Sequence, residues 1–317
     1  MILRSVRDDE EDAEAVREIA AAAFGGTRAL RPAAGAAPVP GERGFGGPGP
    51  GGRGPGAGRA AAGPDAERIT RQEGRIRHLA RTDPEGCWLL EDEHAGPVGA
   101  VLSSRREGTW ALSLLAVLPE AQGKGVGKAL LARALLYGRA CLRGVACLPD
   151  DPVPARTLRR AGFTLHPTMR LSGLPDPGRL PAPDGPVHQG TERHRDLMDS
   201  VDRRTRGGAH RADHEELLRH HRLFVVDDLA GSGYCYVRRG RVETLAATSR
   251  RLATRLLTAA LLAAPPGEPV RVDHVTAQAE WAVDVAVAAG LRITTSGYVA
   301  LRGMRPPELA LPSTALP

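Results

Sequence analysis

The sequence of 317 residues has few aromatics, which make up 3 % of it, no asparagine, and only two lysines, Lys124 and Lys128. So few rings leave little with which to stack bases, and the net charge of +6 is modest and spread along the chain, so no nucleic-acid partner is expected. An excess of Arg, Ala, Gly and Pro beside so little Lys and Asn reads as a GC-rich coding bias, which weakens any argument from the basic composition. No apolar run reaches the ~20 residues that span a bilayer. The opening stretch, MILRSVRDDEEDAE, lacks the basic-then-apolar order of a signal peptide. The expectation is a cytoplasmic protein with no membrane partner. Four cysteines (Cys87, Cys141, Cys147 and Cys235) show no C-x-x-C spacing and read as thiols. Gly has no three-residue period, which excludes collagen, and 43 basic against 37 acidic residues argue against wholesale disorder.

Glycine and proline, by contrast, are abundant, and they are unevenly placed. Residues 33–66 hold 12 Gly and 6 Pro, a stretch that cannot bury enough apolar surface to offset its ordering entropy, and it reads as a flexible insertion. A second Pro-rich stretch, LPDPGRLPAPDGP (174–186), reads as a linker between domains. Before it, hydrophobic patterning gives a strand over 2–6, a helix over 13–24 behind the acids Asp8 to Asp12, and a helix over 67–81. Strands follow over 87–93, 97–105 and 110–117. A helix from Val126 to Tyr137 ends at Gly138, read as a C′ residue, a position where the left-handed conformation is common, and strand, helix and strand close the half near 143–148, 154–161 and 163–171. The second half repeats this order in 222–228, 231–239, 241–247, 250–264, 269–275, 279–290 and 291–303. Leu115-Ala-Val117 matches Leu245-Ala-Ala247, and Ala161-Gly-Phe163 matches Ala289-Gly-Leu291, as in a duplicated domain.

The segment that carries chemistry is Leu115-Ala-Val-Leu-Pro-Glu-Ala-Gln-Gly-Lys-Gly-Val-Gly-Lys128. A strand runs into a Gly-rich turn and then a helix. Consecutive amides of such a turn form an anion nest, and the helix N-terminus adds partial positive charge. Gly123, Gly125 and Gly127 allow close backbone approach, and the only two lysines sit there as well. The spacings of P-loops and dinucleotide folds are both missing. Gln122-Gly-Lys-Gly125-Val-Gly127, behind Leu-x-Val-x-Pro, resembles the GCN5-related N-acetyltransferase (GNAT) superfamily, and the order of elements over residues 1–173 agrees.

That resemblance implies an α/β fold of two tandem GNAT-like domains, each a central mixed, mostly antiparallel sheet flanked by helices. It places a GNAT domain at 1–173, a linker at 174–186, a degenerate GNAT-like domain at 187–306 and a tail at 307–317. It implies acetyl-CoA as co-substrate, with the pyrophosphate on Gln122, Gly123, Lys124, Gly125, Val126, Gly127 and Lys128, the pantetheine arm along Leu115, Ala116 and Val117, and a backbone N–H near Val117 polarising the thioester. No metal is expected. The activity implied is acetyl transfer to a primary amine, on a small molecule or peptide, by direct attack in a ternary complex. A homodimer is one option for the assembly. A non-catalytic acyl-CoA-binding or regulatory protein and a mycothiol-synthase-like enzyme are the alternatives.

The pattern also departs from the family. The position of the family's general-acid Tyr is Leu158, that of its helix-start Asn is Asp151, and that of the Glu base some members carry is Ala111. No catalytic acid or base is therefore assigned. Ser113, Asp151 and the Pro317 carboxylate are weak candidates, the last because in some tandem relatives the chain terminus reaches the active site. In the second half the distance from Leu245 to the Leu256-Leu257 pair is 11 residues, against 15 from Leu115 to Leu130-Leu131. Four residues of the phosphate turn are gone, and this half is expected not to bind acetyl-CoA in the usual way. Arg250, Arg251 and Arg255 read as a solvated helix face. His210 and His214, with Glu215 or Glu216, could form a metal set, but an exposed polar helix carrying His220 and His221 is the preferred reading.

Overall fold

The structure, a computed structural model, describes residues 1–25 and 64–317. Most of the expected insertion, 33–63, lies outside the described residues. Its last three residues instead open a helix. In chain order the elements are β1 (Ile2–Ser5), α1 (Glu10–Gly25), α2 (Pro64–Thr82), β2 (Cys87–Asp92), β3 (Gly96–Arg106), β4 (Thr109–Val117), α3 (Val126–Tyr137), β5 (Arg143–Leu148), α4 (Pro152–Arg160) and β6 (Thr164–Gly173). The second half follows with β7 (His188–Gln189), α5 (Arg195–Thr205), α6 (Asp213–His220), β8 (Arg222–Asp228), β9 (Gly231–Arg238), β10 (Arg241–Ala247), α7 (Arg250–Leu262), β11 (Val270–Val275), α8 (Glu280–Ala288), β12 (Arg292–Arg302) and β13 (Ala310–Leu311).

The duplicated pattern builds one continuous mixed sheet, ordered β1-β2-β3-β4-β5-β12-β6-β11-β10-β9-β8-β7, with β13 attached to β10. The halves exchange their last strands. β12, from the second half, pairs antiparallel with β5 of the first (Tyr298 opposite Leu148), and β6, from the first, pairs with β11 (Val270 opposite Gly173). Period-2 patterning shows that these segments are strands, but it does not say which neighbour each one takes.

Three apolar layers cover the sheet. α3 and α4 pack over Leu112, Ala146 and Ala300, and α7 and α8 over Leu245, Val272 and Leu171. The third layer lies between the halves, where Val16, Ile19, Ile76 and Leu79 of α1 and α2 meet Met198, Val201 and Leu217 of α5 and α6 around Tyr234 and Tyr236. A carboxylate at the centre fastens this joint. Asp213 of α6, 2 % exposed, accepts from Arg106 Nη2 (2.7 Å) and lies 2.8 Å from His78 Nε2 of α2.

Several local readings need correction. Gly138 ends α3 at φ −81°, not left-handed. Glycine is required there because a Cβ would stand 2.4 Å from Trp110. Asp12 does not merely complement a helix dipole: it is buried and accepts from Arg4 (2.6 and 2.8 Å) and Arg7. Arg255 is not solvated. Its side chain is 3 % exposed and reaches Asp184 (2.6 Å) and Asp228 (2.8 Å), holding the Pro-rich stretch onto the second half, where Leu180 is also buried. The tail 307–317 is ordered chain, and its β13 was missed because two residues are too few to show a period.

Candidate active site

β4 holds the centre of the first half. It pairs with β5 in parallel only from Thr109 to Leu112, opposite Arg143 to Ala146, and beyond that point the two strands part. A bulge marks the place. Leu102 lies opposite Leu114 and Ser103 opposite Leu112, so Ser113 has no partner residue, and its hydroxyl is buried without a hydrogen bond. Past the bulge, Leu118 N–H donates to Val98 O on the β3 side (2.9 Å). Amides alternate along a strand, so those of Leu115 and Val117 face the opening left by β5, while that of Ala116 faces β3.

The turn after β4 is built to leave donors free. Gln122 Nε2 donates to Val117 O (3.1 Å), tying the turn back to the strand end. Gly123 (φ +76°) and Gly125 (φ +85°) occupy left-handed conformations that favour glycine, and no atom lies within 4 Å of where their Cβ would be. Gly125 caps α3 without any side-chain hydrogen bond. Among the described residues, no backbone or side-chain acceptor meets the amides of Gly123 to Lys128. Lys124 and Lys128 are exposed and make no ion pair. α3 is held close to the sheet because Gly99 replaces a side chain whose Cβ would sit 2.8 Å from Val126. Six free amides, two unpaired ammonium groups and an open approach fit a pyrophosphate, and the outward-facing amides beyond Ser113 fit an extended amide-bearing arm.

The weak catalytic candidates fall in different places. Asp151 caps α4, accepting from Val153 N–H at 2.7 Å. Leu158 is fully buried beneath α4. Ala111 faces an apolar patch of Val145, Val299 and Leu301. Pro317 does reach the joint between the halves: its oxygen accepts from Arg206 Nη2 (2.9 Å). A cavity of about 30 Å³ lies there, lined among others by Val145, Asp202, His210, Tyr234 and Pro317.

The histidine cluster is buried, against expectation. His210 precedes α6, His214 lies within it, and both pack against Tyr234. Asp202 Oδ2 accepts from His210 Nδ1 (2.7 Å) and His214 Nε2 (3.2 Å), and Tyr234 OH donates to Asp202 Oδ1 (2.5 Å). Burial raises the Asp202 carboxyl, but the two histidines and Arg206 outweigh it and hold the group ionised. Burial and Arg206, against His210 Nε2, push the His210 pKa below its ordinary value, in opposition to Asp202. Neither Glu215, which is exposed, nor Glu216, which pairs with Arg219 and His220, joins them. The carboxylate is fully engaged by hydrogen-bond donors and acts as a polar staple. The sequence hid this because the partners come from α5 and β9, not from the helix face that carries the histidines.

A strand that parts from its neighbour past a bulge runs here into an amide nest at a helix start. The comparisons agree. Residues 59–163 match the family described as Acetyltransferase (GNAT) family, and this part of the chain is a GNAT domain. No curated protein matches the sequence. Among solved structures, the chain resembles a proposed acetyltransferase of Pyrococcus horikoshii (17 % identity, TM-score 0.68, covering 100 % of this chain and 95 % of that one). It also resembles a tandem GNAT protein of the clavulanic acid biosynthesis pathway (14 %, TM-score 0.55, 96 % and 99 %) and a GCN5-related N-acetyltransferase of Sphaerobacter thermophilus (14 %, TM-score 0.55, 96 % and 96 %). At such identities the likeness concerns the fold, which is the tandem one. No helix among the described residues is long and apolar enough to cross a membrane.

Proposed function

We propose that the first half binds acetyl-CoA and transfers its acetyl group to a primary amine by direct attack in a ternary complex. The observation that carries this is the set of unpartnered amides from Gly123 to Lys128 beside two unpaired lysines, at the end of a strand whose Val117 amide faces the opening. The chain's contribution is positional. The nest and lysines would hold the pyrophosphate, and the Leu115–Val117 edge would align the arm. The Val117 N–H would donate to the thioester oxygen as negative charge builds there. The amine lone pair forms the new C–N bond, the C–S bond breaks, and the thiolate leaves. With Leu158 and Ala111 where the family's acid and base would stand, protons move by way of water.

Thiol release from acetyl-CoA, followed across a panel of primary amines, tests this reading together with calorimetric titration of acetyl-CoA. Binding plus release supports it. Tight binding with no release on any amine favours an acyl-CoA-binding protein instead, and absence of binding overturns the site.

A further inference from the structure

α2 runs across the joint and is fixed to the second half at both ends. Glu67 accepts from Arg238 (3.0 Å) and Arg239 (2.7 Å), and Gly74 lets the helix close on α6, its Cβ position lying 3.2 Å from Glu216 Oε1. Arg71 and Arg75, one turn apart, lie on the same helix. Neither makes a hydrogen bond or an ion pair. Arg71 Nη1 and Arg75 Nε are shut off from solvent with no partner, and so is Arg241 Nε on β10, whose nearest carboxylate oxygen belongs to Glu243 at 3.7 Å.

The carboxylates nearby are shared with other groups, and only Glu216 Oε1 among them is buried without a hydrogen-bond partner. Glu243 accepts the Ser313 hydroxyl (2.6 Å), Asp273 holds Arg170 and Arg271, Glu216 pairs with Arg219 and His220, and Glu67 holds Arg238 and Arg239. His221, 3.9 Å from Glu243, and Arg238 complete the charged groups facing the helix. Burial, followed by the like charge of Arg238 and Arg241, disfavours the cation of Arg71, and burial does the same at Arg75. Leaving guanidinium groups desolvated and unpaired is costly, and two on one helix face describe a site for an anion that the chain does not itself supply.

Cys147, on β5 just past the last parallel pair, takes the place opposite Ser113 where the strands part, and its Sγ lies 3.5 Å from Ser313 O. Ser313 in turn donates to Glu243, the bulged residue of β10. A short run of contacts thus joins the apex of the opening to Glu243, whose charge acts on both Arg71 and Arg75. We propose that Arg71 and Arg75 form an anion subsite for the acceptor, which would be an amine that also carries a carboxylate or a phosphate. This rests on the acyl-transfer reading above.

The test compares glycine with glycinamide and phosphoethanolamine with ethanolamine as acceptors for the full-length protein, alongside Arg71→Gln and Arg75→Gln. One pair should show a preference for its anionic member of about 10-fold or more in kcat/KM, and which pair does so tells carboxylate from phosphate. The preference should collapse in Arg75→Gln, mainly through KM. The melting temperature of Arg75→Gln should not fall, since an unpaired guanidinium is removed. Equal use of both members, or a preference untouched by either variant, overturns the subsite. If no amine is turned over, calorimetric titration with succinate and inorganic phosphate decides. Binding lost in the double variant supports the subsite and no binding overturns it, while acetyl-CoA titrated in the same cell reports separately on the acyl-transfer reading.

Discussion

The two halves solve the same geometric problem in opposite ways. In each, the fourth main strand bulges and then leaves its parallel neighbour: at Ser113 in β4, and at Glu243 in β10, where Val242 pairs with Val237 and Thr244 with Tyr236. β10 keeps only Arg241 and Val242 paired with β11. In the first half no described strand fills the opening. In the second the chain fills it. β13 pairs Leu311 with Leu245 and Ala310 with Ala246, the residues that match Leu115 and Ala116, and Ala247 N–H donates to Leu309 O (3.0 Å). Where Gly125 opens α3 with free amides, Ser249 opens α7 and its hydroxyl accepts from Leu252 N–H. An opening in a sheet exposes unpaired backbone groups that must be satisfied by something. A duplicated domain that loses its phosphate turn can satisfy them with its own tail.

The largest expected effect tests whether the halves are one unit. Asp213→Asn should destabilise the protein by about 3–5 kcal/mol near neutral pH, because it leaves Arg106 and His78 facing each other without their buried carboxylate. Burial alone would raise the Asp213 pKa, but His78 and Arg106 outweigh it and hold it at about 2, below the usual carboxylate range. The folded value is the depressed one, so the stabilisation is present above the unfolded pKa of about 3.9 and lost as pH falls through about 2. Urea melts at pH 7 and pH 2.5 should differ less in the variant than in the parent, and a single cooperative transition is expected in both.

Next comes the filled opening. Leu311 is 2 % exposed and packs into the layer under α7. Leu311→Ala should cost about 2–5 kcal/mol without creating any affinity for acetyl-CoA in the second half. A second equivalent of acetyl-CoA in calorimetry would show that the missing turn matters less than the plug.

How much of this was legible follows from the range of the contacts. The β4–turn–α3 nest lies within a dozen consecutive residues, so composition alone exposes it. The two openings were only half legible. The missing turn residues show in the spacing from Leu245 to Leu256, but the bulges at Ser113 and Glu243 carry no residue signature, and the strand exchange of β6 and β12 depends on pairing between distant segments. Arg71 and Arg75 look like the solvated face of an amphipathic helix until α2 is seen packed against α6 and tied to Arg238 of β9. The burial of His210 needed Asp202 and Tyr234 to be placed beside it.

The remaining predictions compare the two helix starts. Gly125→Val should weaken acetyl-CoA binding by about 100-fold, close to 2.7 kcal/mol. A β-branched residue is strained at φ +85° and would turn the amides away from their common focus. Unchanged affinity would move the phosphate site elsewhere.

The smallest effect belongs to the matching position in the second half. Ser249→Ala removes the cap of α7, leaving the Leu252 amide without its acceptor, and should cost about 1 kcal/mol of stability. Acetyl-CoA affinity should be unchanged, because the lost group satisfies the chain rather than a ligand. The pair of variants separates the two uses of a helix N-terminus in one molecule: at Gly125 the damage appears in binding and little in the melt, at Ser249 in the melt and not in binding. If Ser249→Ala also lowered acetyl-CoA affinity, the second half would have to be transmitting strain through β12 into β5, and the division between a working half and a supporting half would fail.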